Sequence, residues 1–137
     1  MSDKPWKRFE RKVAEKFKGQ RVIRPDWGKP DLDVVAEPFG IECKYRKEFS
    51  FEKALSEAEE IVGDKSRPLR SSLLPIAVCQ HPGERDRVNV AFRFSILEEL
   101  GLVGSIKSGV KGNIIIVPLQ MFLDMLDEGG VAYGKRD

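Results

Sequence analysis

The feature that most constrains the fold is an alternation of apolar and polar residues in KPDLDVVAEPFGIECKYRK, residues 29–47. Two alternating stretches are separated by EPFG, which contains Pro38 and Gly40. Alternation with period two is typical of a strand with one buried face, and Pro and Gly favour a turn. The run therefore predicts a β-hairpin whose turn is formed by residues 37–40.

The predicted hairpin has one apolar and one charged face. A turn at 37–40 pairs Ala36 with Ile41, and the side chains then alternate between the two faces. The charged face consists of Asp31, Asp33, Glu42, Lys44 and Arg46, and the apolar face consists of Leu32, Val34, Ile41, Cys43 and Tyr45. We expect the apolar face to form part of the core, so the charged face needs a separate explanation.

Two carboxylates of the charged face are suited to share one ion. Asp33 lies diagonal to Glu42 and opposite Lys44, within reach of a common cation. Carboxylates are ligands for hard cations such as Mg²⁺, which activate water for phosphodiester hydrolysis. Asp31 lies one step further from the turn, opposite Arg46, and is better suited to a salt bridge. The alternative is a set of ordinary cross-strand ion pairs, each contributing at most about 1 kcal/mol.

The first helix carries an acid in an unusual position. Apolar residues recur at helical spacing between residues 4 and 18, and Gly19 follows as a stop signal. On a helical wheel Glu10 falls inside the apolar stripe, whereas Glu15 falls on the solvent side. A carboxylate that faces the core requires a cation, a hydrogen-bond network or a metal, unless it reaches water at the edge of the stripe. Trp6 belongs to the same stripe and is predicted to lie in the core.

The remaining elements predict an α/β fold with a mixed sheet flanked by helices, in a single domain of residues 1–137. The pattern predicts strands at 20–25, 73–80, 87–94 and 113–117. It predicts a helix at 51–62 with Ser50 as N-cap and Gly63 as its end. Two later helices begin at Ser95, which forms a capping box with Glu98, and at Pro118.

Composition excludes several classes of protein. Hydrophobic residues make up 41% and charged residues 34% of the chain, which is typical of a globular protein. No apolar run is long enough for a membrane span and the first residues are too charged for a secretory signal, so a cytoplasmic protein is expected. Two cysteines and a single histidine cannot form a structural zinc site. Through Arg24 the chain holds nine basic and three acidic residues, which favours a polyanion-binding face.

The segments FERKVAEKF and GQRVIRPDWGKPDLDVVAEPFGIECKYRK resemble the PD-(D/E)xK nuclease superfamily, and within it the archaeal-type Holliday junction resolvases, including phage relatives. The resemblance rests on Glu10 in the helix, on DVVA and on IECK. It implies a restriction-endonuclease-like core with catalytic residues Glu10, Asp33, Glu42 and Lys44. It also implies metal ligands at Asp33, Glu42, the backbone carbonyl of Cys43 and, as a further candidate, Glu10, with Asp31 as the alternate to Asp33. The chain departs from the family at DWGKP, where a Gly-Ser element is expected.

The function implied is that of a metal-dependent, structure-selective DNA endonuclease that resolves four-way junctions. The cofactor expected is Mg²⁺, for which Mn²⁺ can substitute, with no organic cofactor and no membrane partner. The partners expected are branched double-stranded DNA and a second copy of the chain in a homodimer. Phosphate contacts are predicted for Lys7, Arg8, Arg11, Arg21, Arg24 and Lys47, extended by Lys65, Arg67 and Arg70. Two alternatives stay open, another DNA repair or restriction-type nuclease of this superfamily and a non-catalytic DNA-binding relative.

Overall fold

The structure is a computed structural model that describes residues 4–23, 29–84, 87–102 and 114–134. Its elements, in chain order, are α1 (Pro5–Lys16), β1 (Gln20–Arg21), β2 (Val34–Ala36), β3 (Phe39–Tyr45), α2 (Phe51–Val62), β4 (Leu74–Gln80), β5 (Asn89–Arg93), α3 (Phe94–Glu99), β6 (Ile114–Pro118) and α4 (Leu119–Glu128).

The strands form one mixed sheet in the order β1-β2-β3-β4-β5-β6. Neighbouring strands are antiparallel except β3 and β4, which are parallel and are connected by α2. A parallel pair needs a crossover connection, and α2 supplies it. The predicted α/β class with a mixed sheet flanked by helices is confirmed.

Both faces of the sheet are covered by helices. The larger cluster of buried residues joins α1, α3 and α4 to one face, with Phe17, Phe39 and Phe122 in mutual contact at centroid distances of 5.6–6.1 Å. On the other face Ala54 and Leu55 of α2 pack on Ala77 of β4.

The hairpin has the predicted strands but a different register. Val34 faces Ile41 and Ala36 faces Phe39, so the turn consists of only Glu37 and Pro38. The prediction that Ala36 faces Ile41 is wrong by two residues. Since side chains alternate with period two, this shift leaves each strand residue on its predicted face. Continued by one residue, the observed register puts Asp33 opposite Glu42 rather than Lys44.

Leu32 was predicted on the face of Val34, and this is wrong because the chain before Val34 leaves the ladder. Leu32 is buried on the other side, against Ala58 and Ile61 of α2. Its side chain lies against Gly40 of β3, where an added Cβ would lie 2.6 Å from Leu32 Cδ1. Glycine in this strand thus makes room for the leucine that lies between Asp31 and Asp33.

The helix predictions have mixed outcomes. α2 has the predicted bounds, and Ser50 Oγ accepts a hydrogen bond from the Lys53 N–H at 3.3 Å. The capping box at Ser95 is wrong, because α3 begins at Phe94 with Arg93 as N-cap and has no side-chain cap. Trp6 is 43% exposed rather than in the core, and it lies in the first turn of α1. The prediction for residue 113 lies outside the described ranges.

The first strand is shorter than predicted, since β1 includes only Gln20 and Arg21, and residues 24–28 lie outside the described part. Within the residues that the structure describes, none of the helices is long and apolar enough to cross a membrane.

Candidate active site

The predicted acids and the lysine meet at the carboxyl end of β3. Glu42 and Lys44 are two residues apart in β3 and so share a face, while Asp33 immediately precedes β2. The carboxyl groups of Glu10 and Glu42 both interact with that of Asp33. The structure thus brings together all four residues for which a catalytic role was expected.

Asp33 is fixed by the backbone of the neighbouring strand. Its N–H donates to the Ile41 carbonyl at 3.0 Å, and its Oδ2 accepts the Cys43 N–H at 2.8 Å. Burial, followed by the charge of Glu10, raises the pKa of Asp33 to about 6, although the hydrogen bond from Cys43 opposes this. The role of the Cys43 backbone carbonyl as a metal ligand remains a prediction.

Glu10 is buried in α1 and paired with a cation. It is 8% exposed, which confirms that it faces the core side of the helix, and Glu15 is exposed as expected. Arg21 Nε donates to Glu10 Oε1 at 2.7 Å. The compensation that a core-facing carboxylate requires is therefore supplied by β1. Arg21 was predicted as a phosphate contact, and its Nε is hydrogen-bonded to Glu10.

The pKa of Glu42 is raised further from its ordinary value than that of Asp33. Burial is the largest cause, followed by the negative charge of Asp33, and together they raise the pKa of Glu42 to about 9. Lys44 Nζ lies 3.3 Å from Glu42 Oε2 and opposes this rise. At neutral pH the metal-free protein therefore holds Glu42 mainly protonated.

A fifth charged residue, for which no role was predicted, belongs to the site. Glu57 Oε2 of α2 lies 2.7 Å from Lys44 Nζ, closer than Glu42 does. Burial alone would lower the pKa of Lys44, but the bond to Glu57 and the charge of Glu42 raise it, so the ammonium stays charged. Glu57 looks like any acid on the polar side of a helix, so only its packing reveals the contact.

Asp31 has different partners from those predicted. Its carboxylate accepts bonds from Arg70 Nε at 3.0 Å and Nη2 at 3.2 Å, and Arg67 Nη1 lies 3.5 Å away. The predicted pairing with Arg46 is wrong because Asp31 lies outside the strand ladder. Burial would raise the pKa of Asp31, but the Arg70 hydrogen bonds and the two arginine charges hold it below its usual range. Asp31 is thus already compensated by two arginines, whereas no cation of the described residues forms a salt bridge with Asp33.

A pocket of about 620 Å³, which we call the acidic pocket, is lined by Asp31, Asp33, Glu42, Lys44 and Glu57 among others. Its charged lining residues are Asp31, Asp33, Glu42, Glu57, Glu60 and Asp64 on the acidic side and Lys29, Lys44 and Arg67 on the basic side. Six acids against three bases give a formal charge of −3 when all are ionised. Such a pocket repels a phosphate and attracts a cation.

The donor set fits a hard divalent cation in chemistry, since carboxylate oxygens are the ligands that Mg²⁺ takes. The negative charge of Asp33 raises the pKa of Glu42, and a cation bound to the two carboxyls would relieve that repulsion. Among the described residues, no group of three Asp, Glu, His or Cys side chains is arranged so that it could hold a metal ion. A cation at Glu42 would have to displace Lys44 Nζ, and Glu57 is in position to retain the lysine.

The predicted phosphate contacts lie on several elements. Arg8, Arg11 and Lys47 are exposed, and Lys7 is half-buried with Nζ 5.5 Å from the Trp6 ring centroid. Arg67 and Arg70 are half-buried beside Asp31, and Lys65 is exposed. Arg24 lies outside the described residues. A contact with DNA remains a prediction for each of them.

Comparison of the chain with protein-family models, with curated proteins and with solved structures gave no significant match. The functional argument therefore depends on the residues and their geometry.

Proposed function

We propose that the protein is a metal-dependent, structure-selective DNA endonuclease that hydrolyses phosphodiester bonds and resolves four-way DNA junctions. The observation that carries the proposal is the convergence of Asp33, Glu42 and Lys44 at one end of the sheet, in an open pocket rich in acids. The burial of Glu10 next to Asp33 supports the same reading.

The residues of the site would have separate roles in hydrolysis. Asp33 and Glu42 would hold Mg²⁺ or Mn²⁺, with Glu10 next to Asp33 as a further acid. When bound, the metal supplies a Lewis acid that activates water and neutralises phosphate charge. Lys44 keeps its positive charge through Glu57 and Glu42, so it stabilises negative charge on the phosphate rather than accepting a proton.

The order of elements supports a restriction-endonuclease-like core as part of the proposal. A helix with a buried acid, an antiparallel hairpin ending in the site, a crossover helix and a parallel strand follow one another in α1 to β4. The resemblance of the first 47 residues points in the same direction. Symmetric cutting of a junction would require a two-fold dimer, and the products would carry 5′-phosphate and 3′-hydroxyl ends.

The test is a panel of synthetic substrates, namely four-way junction, nicked duplex, flap and linear duplex, each with Mg²⁺ or EDTA. We expect the junction to be cut in Mg²⁺ and uncut in EDTA. Glu42→Ala and Lys44→Ala should each abolish most of the cutting, while Glu15→Ala on the solvent side of α1 should cut like the wild type. Circular dichroism of every variant confirms that it folds.

The outcomes separate the alternatives. Equal cutting of linear duplex and junction would remove the junction specificity and leave a nuclease of another kind. Binding without cutting in any metal would favour the non-catalytic DNA-binding relative. Cutting that ignores both Mg²⁺ and the two substitutions would contradict the proposed mechanism.

A further inference from the structure

A second pocket lies on the opposite face of the same sheet end. It has a volume of about 390 Å³ and is lined by Pro5, Arg8, Phe9, Lys12, Tyr45, Gln80 and Gly83. We call it the basic pocket, because Arg8 and Lys12 are its charged residues and no acid of the described chain lines it. Its formal charge of +2 contrasts with −3 for the acidic pocket. The two pockets therefore have opposite preferences for a phosphate.

Strand β3 contributes lining residues to both pockets. Lys44 lines the acidic pocket and Tyr45, the next residue of β3, lines the basic pocket, because successive side chains of a strand point to opposite faces. Phe9 and Glu10 of α1 are likewise adjacent, and Glu10 interacts with Asp33. A DNA strand that passes β3 at Lys44 and Tyr45 would therefore meet both pockets.

The walls of the basic pocket are held rigidly. The Tyr45 ring packs against Phe9 at a centroid distance of 5.4 Å. Gln80, the register partner of Tyr45, is 7% exposed, and its Nε2 donates to the Glu84 carbonyl at 2.6 Å. Arg8 and Lys12 are both exposed and lie on successive turns of α1, so their charges line one side of the pocket. Fixed walls beside two exposed cations suit a phosphate group with part of its nucleotide.

We propose that the basic pocket binds a backbone phosphate of the DNA strand that continues past the acidic pocket, with Arg8 and Lys12 as the anion contacts. This inference rests on the proposed function, since it takes DNA as the ligand. It adds a division of labour, in which the basic pocket binds the strand directly and the acidic pocket accepts the scissile phosphate only together with a cation.

The test measures binding without cleavage. A fluorescently labelled synthetic four-way junction is titrated with protein in EDTA at a series of salt concentrations. Lys12→Ala is compared with Lys16→Ala, which removes the same charge from an exposed position of α1 outside the pocket. We expect Lys12→Ala to weaken binding by about three- to tenfold and to reduce the salt slope by about 1, because one phosphate contact is lost. Lys16→Ala should leave the slope unchanged, and Arg8→Ala should behave like Lys12→Ala.

A second readout locates the contact. In ¹⁵N–¹H spectra the backbone amides of Tyr45 and Gly83 should shift when the unlabelled junction is added in EDTA, and Lys12→Ala should reduce these shifts. Equal weakening by Lys12→Ala and Lys16→Ala would overturn the inference, since it would show attraction by net charge alone. Absence of binding by the wild type in EDTA would also overturn it. If binding follows the expectation but no substrate is cut in Mg²⁺, the proposed nuclease function fails and the phosphate pocket stands.

Discussion

Replacing Glu42 by glutamine should stabilise the metal-free protein, and the gain should grow with pH. In the unfolded chain Glu42 has its ordinary pKa of 4.5, whereas in the fold its pKa is raised to about 9. Between these values the folded state binds more protons than the unfolded state, so the contribution of Glu42 to stability falls as pH rises. Each pH unit in this window costs about 1.4 kcal/mol, so the wild type should lose roughly 3 kcal/mol from pH 5 to pH 7 through this group.

The assay is urea denaturation of wild type and Glu42→Gln at several pH values in EDTA. Asp33, whose pKa is raised from 3.8 to about 6, adds a fall in stability within its own narrower window. The difference between the two proteins therefore reports Glu42 together with its interaction with Asp33. Glu15→Gln, the same change on the exposed side of α1, is the matched control and should show a constant offset. Added Mg²⁺ should stabilise the wild type and leave Glu42→Gln unaffected. A difference between wild type and Glu42→Gln that stays constant with pH would refute the reasoning.

Three further predictions concern the surroundings of the site. Glu57→Gln should raise the Mg²⁺ concentration needed for half-maximal cutting by about tenfold, because Lys44 then pairs only with Glu42 and competes with the cation. Asp31→Asn should lower the free energy of unfolding at neutral pH by about 1 kcal/mol and preserve most cutting, since its arginine bonds stabilise the fold. Gly40→Ala should cost about 1–3 kcal/mol of stability in denaturant unfolding and lower the cutting rate, because the added methyl group displaces Leu32.

The controls for these predictions come from the same elements. Glu60→Gln changes another acid of α2 that lines the acidic pocket, and it should leave the Mg²⁺ requirement near that of the wild type. The stability that Asp31 contributes should persist above its unfolded pKa of 3.8 and disappear as pH falls through its lowered folded pKa. If Asp31→Asn abolished cutting, as is predicted for Asp33→Asn, Asp31 would be a ligand. Stability of Gly40→Ala equal to that of the wild type would contradict the tight packing of Leu32.

The parts of the fold that could be predicted from sequence are those fixed by local chemistry. Ser50 and Gly63 bound α2 because capping and termination act within a turn of the helix. The wheel position of Glu10 predicted its burial because helical periodicity persists whatever packs against it. The faces of Glu42 and Lys44 were predicted despite a wrong turn, because an error of two residues preserves the alternation.

The features that sequence could not supply depend on how separate elements pack. The pairing of Lys44 with Glu57 requires the rotation of α2 over β3, and the Arg70 contact of Asp31 joins residues 39 positions apart in the chain. Leu32 left its predicted face because the ladder ends at Val34, and nothing in its alternation signals that end. The basic pocket likewise combines α1 with the ends of β3 and β4.

The central claim is that Asp33, Glu42 and Lys44 form one metal-dependent site for phosphodiester hydrolysis. The most direct test is the single-turnover rate of cutting of a synthetic four-way junction by wild type and Asp33→Asn over a series of Mg²⁺ concentrations. We predict that the wild-type rate rises with Mg²⁺ to saturation, and that Asp33→Asn binds the junction but cuts it at least about a hundredfold more slowly, a loss of about 3 kcal/mol in transition-state stabilisation. Equal rates for the two proteins, or a wild-type rate independent of Mg²⁺, would contradict the claim.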